Sequence, residues 1–425
     1  MRLSVKTLFA VGGVLLATAI VSAQLPSLAE QAVAYSKTAA TDPVARLQKK
    51  IDAGQVQLAF DEARGYLPAV LDALNVPTSS QGLVFSRTSL QVDRIAPWTP
   101  RAIYFNDDVY VGWVQGGPIM EVASVDPVLG GVFYSLTQEK TDHPQFERQK
   151  HPCLQCHDSS SSTGGVPGFI MRSVVTDRYG YTVATDSGAT SDQTPLSKRW
   201  GGWYVTGSDG GLTHMGNVMA PALAHEMGHV PTYLSRTKLD GHALPTLKER
   251  FDTDPYLTPH SDAVALLVLA HQTSVHNLIT LAKYESRKST QLGGDPLAPN
   301  VRSIADQLVR TMLFAKEAAY DAPMSGTSEF AQQFAAVGPH DRKGRSLRDL
   351  DLRQRLFKYP LSYLVYSEAF DALPDAVKSY LSQRIAGVLS GGDSSLEFAH
   401  LTAPDREAIR TILDETKPGF LAATH

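Results

Sequence analysis

Cysteine is almost absent from this chain: there are two in 425 residues. A disulfide-stapled scaffold is therefore excluded, and stability has to come from a buried core, which a chain of this length can supply. Basic runs are absent too. With a formal net charge of −4, nothing points to nucleic acid or an anionic membrane as a partner. No internal repeat or low-complexity stretch appears, and after the first 23 residues no second long apolar run suggests a membrane span. Composition is otherwise ordinarily globular, with 43% hydrophobic and 19% charged residues.

Both cysteines fall in one pentapeptide, Cys153-Leu154-Gln155-Cys156-His157. Two thiols three residues apart share one face of a helical turn. Each can add across one vinyl group of the same haem, and the following histidine is then placed to ligate the iron. The predicted cofactor is one covalent haem c, held by Cys153 and Cys156 with His157 as proximal ligand. Three other readings fit less well. A structural zinc site wants four ligands, and only His151 is close enough to complete the set. A thioredoxin-like pair wants a long helix after it, whereas Asp158 to Gly165 reads as a loop. A plain disulfide leaves His157 without a purpose.

The N-terminus has the form of a secretory signal peptide. Arg2 and Lys6 make a positive start, Leu8 to Val21 is uncharged and apolar, and Val21-Ser22-Ala23 is a small-residue cleavage site. The alternative, an uncleaved anchor, requires a longer apolar run. Cleavage after Ala23 would leave 402 residues in the periplasm or secreted, with no stable membrane span. A simple electron carrier needs about 100 residues. The larger size implies a substrate pocket, a docking surface for a redox partner protein, or a second metal.

The expected class is α+β. Residues 24–41 read as a mobile leader. Region 42–260 reads as β-rich and carries the haem motif, and region 261–425 as helical and packed against it. Asp42 followed by Pro43 predicts a helix through Ile51, and Phe60 to Leu74 predicts another. Arg101–Phe105, Val109–Val114, Ile119–Val125 and Gly131–Leu136 alternate with turns as a β-meander. A hairpin is predicted over Phe169–Ala184 and a strand over Trp200–Thr206. Ser261 is read as the cap of a helix reaching Arg287, with further helices near 301–320, 327–336, 360–371, 374–389 and 404–415.

Seven of the thirteen histidines lie in residues 214–276. His225-Glu226-Met227-Gly228-His229 matches the zinc-binding H-E-x-x-H pattern, in which the glutamate is the general base. The extended form needs Gly at 232 and His at 235, where this chain has Thr232 and Ser235. Pro221 and Pro231 also limit any helix there, and Glu249 is the only natural third ligand. His260, His271, Gln272 and His276 gather around one helix start and could line a haem pocket or hold a second metal. For the sixth iron ligand the candidates are Met215 or His214, with Met219, Met171 and Met120 behind them.

The pentapeptide resembles the attachment site of c-type cytochromes generally. The strings IYFNDDVYVGWVQGGPIMEVASVDP, RWGGWYVTG, HMGN and YLTPHSDAVALLVLAHQTSVHNLIT are similar to those of a group of large exported single-haem proteins. That resemblance covers roughly residues 85 to 290 and implies haem and export, but no particular reaction. The sequence therefore predicts an exported mono-haem cytochrome for electron transfer or haem oxidoreduction, with a redox protein or a small molecule as partner. An open-site haem enzyme of peroxidase or oxygenase type is the alternative. A zinc hydrolase at residues 225–229 and a gas or redox sensor are further readings.

Overall fold

A computed structural model describes residues 27–185, 189–221 and 240–421. The signal segment and the 225–229 motif lie outside the described residues. Six antiparallel strands follow one another in sequence order: β1 Gly82–Val84, β2 Arg101–Phe105, β3 Val109–Trp113, β4 Ile119–Asp126, β5 Gly130–Thr137 and β6 Phe146–Arg148. The helices lie mainly in the second half, so the class is α+β. The two outermost strands, three residues each, are too short to stand out in the sequence.

The sheet buries both faces. One carries Ala102, Tyr104, Val111, Val122, Tyr134 and Leu136, which form a core with the N-terminal helices α1 Leu28–Val33, α2 Pro43–Asp52 and α3 Leu67–Ala73. The other face packs Phe105, Tyr110 and Val125 against the helical half. The central element there is the helix Ala263–Gln291 of 29 residues. By length and hydropathy alone it is long and apolar enough to cross a membrane. Its most apolar window is 83% buried inside the protein, as expected of a core helix.

Several boundaries differ from the sequence reading, each for a local reason. The expected mobile leader is packed from Ser27 onward: Ala29, Ala32 and Tyr35 are buried, and the Tyr35 hydroxyl donates to Gly131 O at 2.8 Å. The long helix is capped by Asp262, whose carboxylate accepts from the Val264 and Ala265 amides at 2.8 and 3.0 Å. Ser261 instead ties β1, accepting from Leu83 N at 2.9 Å. The helix expected from Phe60 begins at Leu67, because the Asp61 carboxylate captures the Ala63 and Arg64 amides and Gly65 turns at φ +62°. The stretch Trp200–Thr206 makes only isolated bridges, since Trp200 at φ +69° and Gly202 at φ +81° leave the extended region. The helix expected to Tyr320 stops at Met312, ahead of Phe314 and Lys316 at φ +56° and +63°. The predicted hairpin shortens to β7 Val174–Thr176 and β8 Thr182–Thr185.

Candidate functional site

Cys153 caps the single helical turn Leu154–His157, which carries Cys156 and His157, and the amides of both donate to Cys153 O at 3.2 and 2.9 Å. Cys153 is half-buried, Cys156 is exposed, and neither is in a disulfide. Burial pushes the Cys153 thiol up to about 11. The turn sits on the sheet: the His157 ring lies 4.6 Å from the Phe133 ring of β5.

The hydrogen bonding of His157 defines its chemistry. Its Nδ1 lies 2.9 Å from Gly168 O, and the Gly168 amide donates back to His157 O at 2.9 Å. A carbonyl only accepts, so Nδ1 carries the hydrogen and Nε2 keeps its lone pair. This is the arrangement metal-ligating histidines adopt, in which the second ring nitrogen donates to a carbonyl or carboxylate. Burial also holds the imidazole below its ordinary range and so neutral. The clamp is itself anchored: Asn277 of the long helix bonds both the amide and the carbonyl of Phe169 at 2.8 Å. A Cβ at Gly168 would fall 2.3 Å from Asn277 Oδ1, so only glycine fits there.

Around this turn the sheet face carries charge. Arg101 and Glu121 pair at 2.7 Å, and the register places Ile103, Gly112, Glu121, Ala123, Phe133 and Ser135 on one face. The Arg101 guanidinium lies across Gly112, where a Cβ would stand 2.5 Å from Nη2. Arg101 Nε is buried and finds no hydrogen-bond partner among the described residues. Both charges act on Cys153 and on His157, and Arg172 acts on His157 as well. A haem fits this setting: two thiols on one turn, a ring nitrogen with a free lone pair, and a guanidinium that is paired with Glu121 through Nη2 but keeps its Nε–H without an acceptor among the described residues. Sequence reasoning missed Gly168, Asn277, Arg101 and Glu121. For the last two a signal existed: Arg101 is the one charge of β2, and Glu121 the one charge between Ile119 and Val125.

The other candidate ligands lie in settings of their own. Gly216 N donates to His214 Nδ1 at 3.0 Å, so Nε2 bears the hydrogen and faces Asp209 Oδ2 at 3.6 Å. His214 thus lacks a lone pair at Nε2 to offer iron. Met215 is partly buried with Val175, Val183 and Ala220, and its sulfur accepts from Ser173 Oγ at 3.7 Å. Ser173 follows Arg172, whose charge reaches His157. Met120 and Met171 are core side chains, and Met219 packs against the N-terminal core. His260 is half-buried, with its backbone carbonyl bonded to Gln81 Nε2.

His271 and His276 are fully buried in a structural network. His276 Nε2 bonds Asp107 O at 2.9 Å, and Gln272 donates to Asn106 O and Tyr110 Oη, both at 2.8 Å. His271 stands between Asp192, at 3.4 Å, and Ser362 Oγ, at 2.8 Å. That order imitates a nucleophilic triad, but Ser362 is 0% exposed and no substrate reaches it. No group of three or more His, Cys, Asp or Glu among the described residues is arranged to hold a metal.

Burial lowers the His276 pKa to about 4 from an ordinary 6.5. A depressed histidine pKa gives stability that is complete above 6.5 and lost as the pH falls toward 4, here roughly 3 kcal/mol. Denaturant unfolding of His276→Gln should lack this part of the acid slope between those limits. An unchanged slope would contradict the assignment.

No family model matches this chain, and neither a curated protein nor a solved structure matches it.

Proposed function

We propose that the protein is an exported mono-haem c-type cytochrome that transfers electrons in the periplasm or outside the cell. The observation that carries this reading is the His157 clamp at the end of a Cys-x-x-Cys-His turn. Its Nε2 is left free for iron, while Nδ1–H is engaged by a carbonyl fixed from the long helix. When bound, haem supplies reversible one-electron chemistry. Cys153 and Cys156 would hold it by thioether bonds, and His157 would ligate its iron. Arg101, paired with Glu121 through Nη2, has a buried Nε–H left over beside the turn that would donate to a haem carboxylate. Phe133 gives the imidazole an apolar neighbour that excludes water. The signal segment supplies export, and the turn's cysteines supply attachment, which takes place outside the cytoplasmic membrane in bacteria.

Met215 is the proposed sixth ligand. Its thioether is held by Ser173 within one residue of Arg172, and the His214 tautomer favours it over its neighbour. A His–Met iron is closed and relatively high in potential. The test is the absorption spectrum of oxidised and reduced protein, with and without carbon monoxide. The expected result is a low-spin spectrum with poor carbon monoxide binding, converted in Met215→Ala to a high-spin form that binds it readily. A wild-type protein that is already high-spin would favour the open-site enzyme instead.

A further inference from the structure

Two loops on the Arg101 side of the sheet build an exposed aromatic platform. Trp98, Tyr179 and Tyr181 are 52%, 40% and 50% exposed. Exposed aromatics gathered in this way mark an interaction surface, whereas single ones do not. Trp98 meets Tyr179 edge-on at 6.2 Å, and the Arg87 and Arg178 guanidiniums lie over Tyr181 and Tyr179 at 4.1 and 5.2 Å.

The rings are held in place. Arg87 donates from Nε to Tyr179 O at 3.0 Å and from Nη1 to the Tyr181 hydroxyl at 3.1 Å. The Asp177 carboxylate accepts both tyrosine amides, at 2.9 and 3.0 Å. Gly180 turns at φ +85°, with its Cα so close to Phe85 O that a Cβ would stand 2.4 Å away. A surface fixed before binding loses little conformational entropy when a partner arrives.

The charge of the platform selects the partner. Arg87 and Arg178 lie on the rings, and the carboxylate beside them, Asp177, is turned inward onto amides. The platform is therefore locally basic on a chain of net charge −4. Trp, Tyr and Arg are the residues enriched at protein-interface hot spots. The position matters too. The same loop bonds Glu121 through Ser89 Oγ at 2.7 Å and runs into Arg101, so the platform adjoins the charged pair beside the haem turn. We propose that this platform docks an acidic redox protein. This rests on the cytochrome reading for its purpose but not for its binding test.

The probe is flavodoxin, a small acidic redox protein, titrated against the mature full-length chain. Binding should weaken as salt is raised from about 20 to about 200 mM. It should weaken about tenfold or more in Arg87→Glu/Arg178→Glu and in Trp98→Ala, with folding and absorption spectra unchanged. Reduction by flavodoxin hydroquinone should slow in the same variants, while reduction by neutral hydroquinone should not. No binding, equal binding by wild type and variants, or a preference for anionic vesicles or a sulfated glycan each overturns the proposal. Failure to carry haem would defeat the cytochrome reading alone, because the binding titration does not need it.

Discussion

His157→Ala protein, exported by a host that matures c-type cytochromes, is expected to lose the low-spin spectrum of the parent entirely. The imidazole is the only group on the Cys153–His157 turn that can ligate iron through nitrogen, and its Nδ1–H is already committed to Gly168 O. Alanine removes the ligand, and also the contact with Phe133 at 4.6 Å. Two companion variants separate ligation from orientation. Gly168→Ala drives a Cβ toward Asn277 Oδ1, and Asn277→Ala frees the Phe169 backbone. Both leave Nε2 in place while loosening the carbonyl that orients it. Changes to partners of this kind typically cost about 10–100-fold in metal affinity. Here they should shift the reduction potential while covalent haem content stays near that of the parent. If His157→Ala kept the parent spectrum and potential, the ligand assignment would fail.

Arg348→Met is expected to have the largest effect on stability. Arg348 comes from the helical half and forks onto both carboxylate oxygens of Asp107, in the turn between β2 and β3. It also donates to Gly338 O at 2.8 Å and lies over the Tyr363 and Phe334 rings at 4.4 and 4.9 Å. Removing one partner of a buried pair typically costs about 3–5 kcal/mol, because the other charge is left unpaired. Asp107 keeps 35% of its side chain in solvent, which holds the loss toward the low end. The effect should grow with pH. Burial, then the neighbouring Asp107, raises Asp108 to about 7, and Arg348 opposes that rise. A raised acid pKa gives stability that is full below about 4 and lost as the pH rises through 7. Without Arg348 the loss extends to higher pH. Arg348→Lys keeps the charge but not the fork and should fall between the two. A variant within about 0.5 kcal/mol of the parent in denaturant unfolding would remove the pair from the account of stability.

Particular residues show what the sequence made readable. The meander strands Arg101 to Leu136 were legible because turn residues punctuate alternating apolar runs, and the Asp42–Pro43 start because cap chemistry is local. Elements set by distant partners were not. Ser261 and Asp262 are both good caps, and the choice fell to Asp262 only because β1 needs the Ser261 hydroxyl. The site divides in the same way. Cys153, Cys156 and His157 are adjacent in sequence and carry their meaning in their spacing. Gly168 and Asn277 act through a backbone carbonyl and an amide 108 residues from the Phe169 backbone, and no spacing rule records that. The histidine excess in 214–276 led toward a metal. Three of those histidines, among the described residues, have separate partners: the Gly216 amide for His214, Ser362 for His271 and the Asp107 carbonyl for His276. A buried imidazole needs a hydrogen bond, and in a polar core such bonds serve packing as readily as catalysis.

The most direct test of a covalently attached haem is the mass of the mature protein after denaturation and extraction in acidified organic solvent. The predicted result is a chain beginning at Gln24 that retains the mass of one haem, with that mass absent from Cys153→Ser/Cys156→Ser. Haem that extracts freely, or a haem-free chain from a host competent in c-type maturation, would contradict it.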